Sequence, residues 1–184
     1  NMHFMTLARQ ADDPILAMGA AFSADVRDRK LDLGIGVYRD ECGQTPVMRA
    51  VKEAERRLLL DQPTKSYLGV EGDRAFLEGV EPLALGDARA DHAVTAIQTV
   101  GGTGALRLAA DLLAREKPDR TVWFGAPSWT NHGALFAAAG LAVRTFSYLD
   151  PLSQQIDEAA FGEALEAARA GDIVLLHGCC HNPT

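Results

Sequence analysis

From residue 91 onward the chain alternates short β-rich runs with segments of helical period. Residues 93–100 read as a strand, and Gly101-Gly102-Thr103-Gly104 turns into a helix whose apolar positions Ala105, Leu108, Ala109 and Leu112 follow helical spacing. Lys117-Pro118-Asp119 closes that unit. Residues 121–125 predict the next strand, 131–139 a helix stopped by Gly140, and 141–148 a third strand. A further helix over 157–170 ends at Gly171-Asp172, and Ile173-Val174-Leu175-Leu176 is a continuous apolar run expected of a strand buried on both faces. Strands and helices in alternation predict an α/β fold with a mostly parallel sheet and helices on both faces. Ligands of such a sheet sit at the carboxyl ends of its strands. The unusual residues gather there, in 101–104, Ala126-Pro127-Ser128-Trp129 and 177–184.

The first ninety residues lack this alternation. Residues 15–22 predict a short helix, 33–38 an extended segment, and 46–60 a helix with Thr45 as N-cap and Pro46 in its first position. The organisation expected is an N-terminal arm with a small-domain portion over 1–60, then the first part of a larger domain over 61–184. Asn1 ahead of Met2 reads as the leftover of a cleaved tag. Because 182–184 follow a strand directly, the segment is expected to be the front portion of a longer protein.

The 184 residues are 47% hydrophobic and 23% charged, as expected of an ordinary folded domain and not of a low-complexity or disordered chain. A formal charge of −7 with dispersed basic residues argues against nucleic acid and anionic membranes as partners. No apolar run has transmembrane length and no secretory leader is recognisable, so a cytoplasmic location is expected. Three cysteines, two of them adjacent, predict no disulfide framework.

Several residues could carry chemistry. The loop 101–104 lies between a predicted strand and helix, where backbone N–H groups and the helix dipole favour an anion. It serves equally well as a tight turn. It lacks the Gly-Lys-Ser/Thr of a Walker loop and the spacing of a dinucleotide fingerprint, as does 34–39, where Arg39 stands in place of the third glycine. Trp129 at a strand end reads as a stacking surface for a planar ring or as packing mass, and His132 as an orienting group beside a cofactor or a structural histidine. Cys179-Cys180-His181 has metal-ligand composition, but neighbours on an extended segment face opposite ways and no second pair stands at ligand spacing, so no metal is expected. Asn182-Pro183 is expected to be trans, the usual state of an X-Pro bond. Tyr67, in a glycine-punctuated polar stretch, is either a surface loop residue or a ligand contact.

Taken in order, 33–41, 65–69, 101–106, 127–132 and 177–184 resemble the aspartate and aromatic (tyrosine) aminotransferases, the class I enzymes that use pyridoxal 5′-phosphate. The resemblance runs along nearly the whole chain. It implies the aspartate aminotransferase-like fold, truncated after the first half of the large domain, and a homodimer. It implies amino-group transfer between L-aspartate or an aromatic amino acid and 2-oxoglutarate. It also gives each motif a role. Gly102 and Thr103 would bind the cofactor phosphate, Trp129 would stack on the pyridine ring, and Asn182 would donate to the phenolic oxygen. Gly36 would leave room for the substrate carboxylate, which Trp129 and Asn182 would also line. Tyr67 would reach the partner subunit's phosphate, and His132 would hold the acidic residue that pairs with the pyridine nitrogen.

Thr130 departs from the family pattern, which often has proline there. The cofactor-bearing lysine, the acidic residue and the substrate-binding arginines are expected beyond Thr184, since none of Lys30, Lys52, Lys65 or Lys117 matches the lysine. No catalytic residue is therefore assigned within this segment, and the segment alone is expected not to transaminate. The alternatives are a non-catalytic phosphate- or nucleotide-binding α/β domain, or an inert fragment of the enzyme.

Overall fold

The computed structural model describes residues 14–34, 36–91 and 93–183, so the first thirteen residues of the expected arm, Ile35, His92 and Thr184 lie outside the described residues. The chain divides into two compact units, 1–65 and 66–184.

In the first unit, helix α1 spans Pro14–Ala24 and α2 spans Arg49–Asp61. The open carbonyls at the end of α1 are met by Lys30, whose Nζ donates to Phe22 O at 2.8 Å and Asp25 O at 2.6 Å and lies 4.5 Å from the centroid of the Phe22 ring. A charge-assisted C-terminal cap is what a helix's negative end favours. α2 starts three residues later than its sequence signals suggest. Met48 is the N-cap and offers no side-chain bond, while the Thr45 hydroxyl donates to Tyr38 O at 3.0 Å. The expected cap thus serves the preceding loop, and Pro46 lies outside the helix. In that loop Asp40 Oδ1 accepts from Cys42 N and Gln44 N, with Gly43 at φ 73°.

The second unit opens with a tight turn in which Gly69 and Gly72 form an antiparallel bridge. Helix α3, Arg74–Leu85, follows, its N-terminus capped by Asp73, which accepts from Phe76 N at 2.9 Å. A 3₁₀ helix over Gly86–Asp91 leads on. The strand expected over 93–100 is absent: in this segment Gln98 N donates to Glu71 O of the turn at 2.7 Å, and no ladder forms among the described residues. Extended preference becomes a strand only where a partner ladder exists.

Then come α4 (Gly101–Glu116), β1 (Thr121–Ala126), α5 (Asn131–Ala138), β2 (Ala142–Ser147), α6 (Glu158–Ala167) and β3 (Ile173–Leu175). The three strands form one parallel sheet in the order β2-β1-β3, with Trp123 opposite both Arg144 and Val174. Alternation along β1 builds two cores. Val122 and Phe124 meet Ala110, Phe136 and Leu141 from the α4 and α5 side, whereas Trp123 meets Phe146 and Ala164 from the α6 side. Helices on both faces of a parallel sheet match the predicted class.

Two local expectations change. α4 turns Leu106, Ala110, Leu113 and Ala114 to the core and leaves Leu108 and Leu112 exposed. Both sets have helical spacing, and packing on β1 decides between them. β3 is only half-buried, being paired with β1 on one edge.

Gly125 is fixed by close approach, since a Cβ there would lie 2.6 Å from Tyr148 Cβ. Gly125→Ala is expected to destabilise the protein by about 2 kcal/mol through overpacking, read as a lower urea midpoint. An unchanged midpoint would show that β2 yields freely at this point.

Candidate functional site at the carboxyl ends of β1 and β3

The sheet order makes the chain leave β1 for one side to form β2 and return on the other as β3. The crevice beyond the carboxyl ends of β1 and β3 is therefore the topological switch point, where such sheets bind ligands. The β1–α5 loop brings Pro127, Ser128 and Trp129 there, α5 contributes His132 from its first turn, and the segment after β3 brings His177, His181 and Asn182. The peptide bonds before Pro127 and Pro183 are both cis, the second against expectation.

These side chains form a connected aromatic cluster. His132 is edge-on to Trp129 at 5.3 Å between centroids, to Phe124 at 5.9 Å and to His177 at 5.2 Å. His177 stacks on His181 at 4.2 Å, and His181 stacks on Tyr148 at 3.8 Å with the rings within 8° of parallel. His132 is buried at 6% exposure and shares a 2.8 Å hydrogen bond through Nδ1 with Ser128 Oγ. Burial holds its imidazole below the usual range for histidine, and the charges of His177 and His181 press in the same direction. The neutral ring is thereby favoured, and its hydrogen bond to Ser128 gives it a definite orientation.

Backbone contacts set the tautomers of the other two histidines. Asn182 N–H donates to His177 Nδ1 at 2.9 Å, so the neutral ring carries its proton on Nε2. That atom is buried and has no partner among the described residues. A buried imidazole nitrogen rarely goes without a partner. His181 Nε2 donates to Pro127 O at 2.8 Å.

A second group of donors lies at the same end of the sheet. α4 packs on β1 and joins it through residues 117–120, so it runs antiparallel to the strand and its N-terminus points to the strand's carboxyl end. Val100 gives that terminus no side-chain cap. Gly101 N folds back to Thr99 O, at φ 62°, and Gly104 N reaches Val100 O, leaving the N–H groups of Gly102 and Thr103 at the helix mouth. Free N–H groups at a helix N-terminus, with the helix dipole behind them, are the kind of donors that favour an anion.

The structure therefore brings Trp129, His132 and Asn182 together and sets Gly102 and Thr103 at the same sheet end. It does not bring Tyr67 in: that side chain, beside the Gly69–Gly72 turn, is fully exposed. Gly36 belongs to the other unit, where a Cβ would meet nothing within 4 Å among the described residues. His177, His181 and Tyr148 join the cluster without having been singled out as site residues. Among the described residues no group of three metal-ligating side chains is placed to hold an ion, and no helix is long and apolar enough to cross a membrane.

Comparison with known proteins places this arrangement in a family context. The family described as aminotransferase class I and II matches residues 28–184. A tyrosine aminotransferase of Rhizobium meliloti (strain 1021) is 53% identical, the match covering 98% of this chain and 46% of that protein. An aspartate aminotransferase of Salmonella typhi is 47% identical with the same two coverages. The crystal structure of an aromatic-amino-acid aminotransferase from Burkholderia pseudomallei, covalently bound to pyridoxal phosphate, is similar with a TM-score of 0.92 at 39% identity, over 99% of this chain and 46% of that one. The chain spans about half the length of the curated relatives it matches.

Proposed function

The chain belongs to the aminotransferase class I and II family and has its α/β fold, and from that premise we propose that the whole protein is a pyridoxal-phosphate-dependent transaminase. It moves the amino group between L-aspartate or an aromatic amino acid and 2-oxoglutarate, and works in the cytoplasm as a homodimer. In this reading residues 1–60 supply the arm and small-domain portion, and 61–184 the first part of the cofactor-binding domain. The match to aminotransferases over 28–184 leaves the non-catalytic nucleotide-binding alternative without support.

One observation carries the reading: Trp129 and the buried His132 stand edge to face at the switch point, at the sheet end to which α4 turns its uncapped N-terminus. A phosphorylated planar heterocycle needs those two features, a ring surface and an anion cradle. The unpartnered Nε2–H of His177 adds a buried donor in the same cluster. The residues present fit the cofactor, which when bound supplies the electron sink for amino-group transfer. Gly102 and Thr103 hold its phosphate through backbone N–H and a hydroxyl. Trp129 lies against its ring and limits water, and His132 holds the acidic residue facing the pyridine nitrogen. Asn182 donates to the phenolic oxygen. Gly36 leaves space for the substrate carboxylate, Trp129 and Asn182 also serve the substrate, and Tyr67 reaches the phosphate in the partner subunit.

The purified full-length protein should be yellow, lose that absorbance on borohydride treatment, and convert aspartate with 2-oxoglutarate. A colourless protein that stays inactive with added pyridoxal phosphate would sink the proposal. Tyr67→Phe should weaken cofactor affinity about fivefold, the worth of one hydrogen bond, with kcat unchanged at saturating cofactor. In mixed dimers, a Tyr67→Phe subunit paired with one lacking the cofactor-bearing lysine should regain full affinity, because its site receives the intact tyrosine from the other chain. Affinity that stays weak would place Tyr67 in its own subunit's site.

A further inference from the structure

The contacts around the switch point close on themselves. Trp129 touches His132, His132 touches His177, His177 stacks on His181, and His181 donates back to Pro127, two residues before Trp129. His181 is the member to which the proposed site gives no task. Its sequence setting, beside Cys179 and Cys180, suggests only metal-ligand composition, and no metal cluster exists among the described residues.

We infer that His181 is a positioning residue that holds the loop bearing Trp129 in register with the segment bearing Asn182. Three contacts converge on it. Its Nε2–H donates to Pro127 O, and among the described residues this is the one long-range hydrogen bond made by residues 127–130. One ring face lies on Tyr148, which follows β2, and the ring also stacks on His177. His177 in turn accepts from Asn182 N, so the β1 loop, the end of β2 and the segment after β3 meet at one imidazole. A carbonyl can only accept, so the bond to Pro127 requires a donor at the Nε2 position. Stacking on the neighbouring rings fixes the plane from which that donor acts.

The donor and the ring can be separated by substitution. His181→Phe keeps a stacking ring and removes the N–H, whereas His181→Gln places an amide N–H near the Nε2 position without the ring. The consequence for the cofactor rests on the function proposed above, so the first readout is independent of it. In full-length protein labelled with 5-fluorotryptophan and freed of cofactor, the Trp129 fluorine resonance is assigned by its loss in Trp129→Phe. His181→Phe should shift or broaden that resonance, and His181→Gln should leave it near its original position. With pyridoxal phosphate added, His181→Phe should bind it about fivefold more weakly, one hydrogen bond's worth, and His181→Gln close to normally.

A Trp129 resonance unmoved in His181→Phe overturns the inference, whatever the affinity for cofactor. So does equal disturbance in both variants, which would make His181 a packing group. A resonance that responds as expected in a protein with no affinity for pyridoxal phosphate would uphold the positioning role and overturn the function proposed above. Should the Phe variant fail to fold, His181→Met, which also lacks a donor, makes the same comparison.

Discussion

Replacing Asp172 by alanine is expected to cost about 3 kcal/mol of stability, from three donors losing their acceptor at once. Asp172 stands just before β3, with its side chain 5% exposed. One carboxylate oxygen accepts from Thr121 N at 2.9 Å, and the other from Arg169 N at 3.0 Å and Trp123 Nε1 at 3.2 Å. The group thereby ties the start of β1, the end of the α6 connection and the largest core side chain on the α6 face to the beginning of β3. Alanine offers no acceptor and fills none of the space.

The same contacts make the stabilisation depend on pH. The N–H groups of Thr121 and Arg169 draw the Asp172 pKa from the usual carboxylate range down to about 2, with burial opposing them and the Trp123 and Arg169 side chains assisting. The folded pKa lies below the unfolded value of about 3.9. The carboxylate's contribution is therefore complete above about pH 4 and is lost as pH falls through 2, up to roughly 2.5 kcal/mol. Urea unfolding of the protein and of Asp172→Ala should differ most at neutral pH and converge towards pH 2. A constant gap between pH 6 and 2, or equal midpoints at pH 7, would contradict this account.

Asp172 also shows where sequence and structure part company. The elements from α4 to β3 are legible because their signals are local: apolar runs of strand length, Gly140 at positive φ just past α5, and Asp157 capping α6 by accepting from Ala160 N. α6 stops at Ala167, four residues short of the Gly171 that reads as its end. α3 carries a local signal too, the Asp73 cap, but Gly79 and Pro82 interrupt its pattern. Residues 93–100 mislead because strand propensity says nothing about a ladder partner. Likewise both apolar stripes of α4 look alike until β1 covers one of them.

The site divides along the same line. Trp129 and His132 stand out because a strand ends just before them, and Asn182 because it follows another strand. The cluster itself depends on β3 returning beside β1, an order that the linear sequence does not contain. His177 and His181 therefore read as surroundings of a cysteine pair until the sheet brings them against His132 and Pro127. The demand for glycine at 125 is hidden for the same reason, since Tyr148 approaches it from just past the end of the neighbouring strand.

Asn182→Ala in the full-length holoenzyme should lower kcat by about fivefold to 150-fold while cofactor affinity changes little, if the amide serves the phenolic oxygen as proposed. Asn182 is placed by its backbone, whose N–H donates to His177 Nδ1 at 2.9 Å, and that bond survives substitution. Its side-chain amide makes no hydrogen bond among the described residues and is exposed at the switch point, so removing it disturbs no internal contact. The loss is confined to one donor, worth about 1–3 kcal/mol, or roughly fivefold to 150-fold in rate. The phosphate contacts of Gly102 and Thr103 are untouched, which is why affinity should hold. Removing a donor from a deprotonated oxygen also favours its protonated form, so the bound cofactor's absorbance should titrate at higher pH than in the unsubstituted enzyme. Steady-state kinetics and a spectrophotometric pH titration measure the two effects separately. A normal kcat with a normal titration would show that the Asn182 amide does not touch the cofactor, and a normal kcat with a shifted titration would show that the contact exists without limiting the reaction.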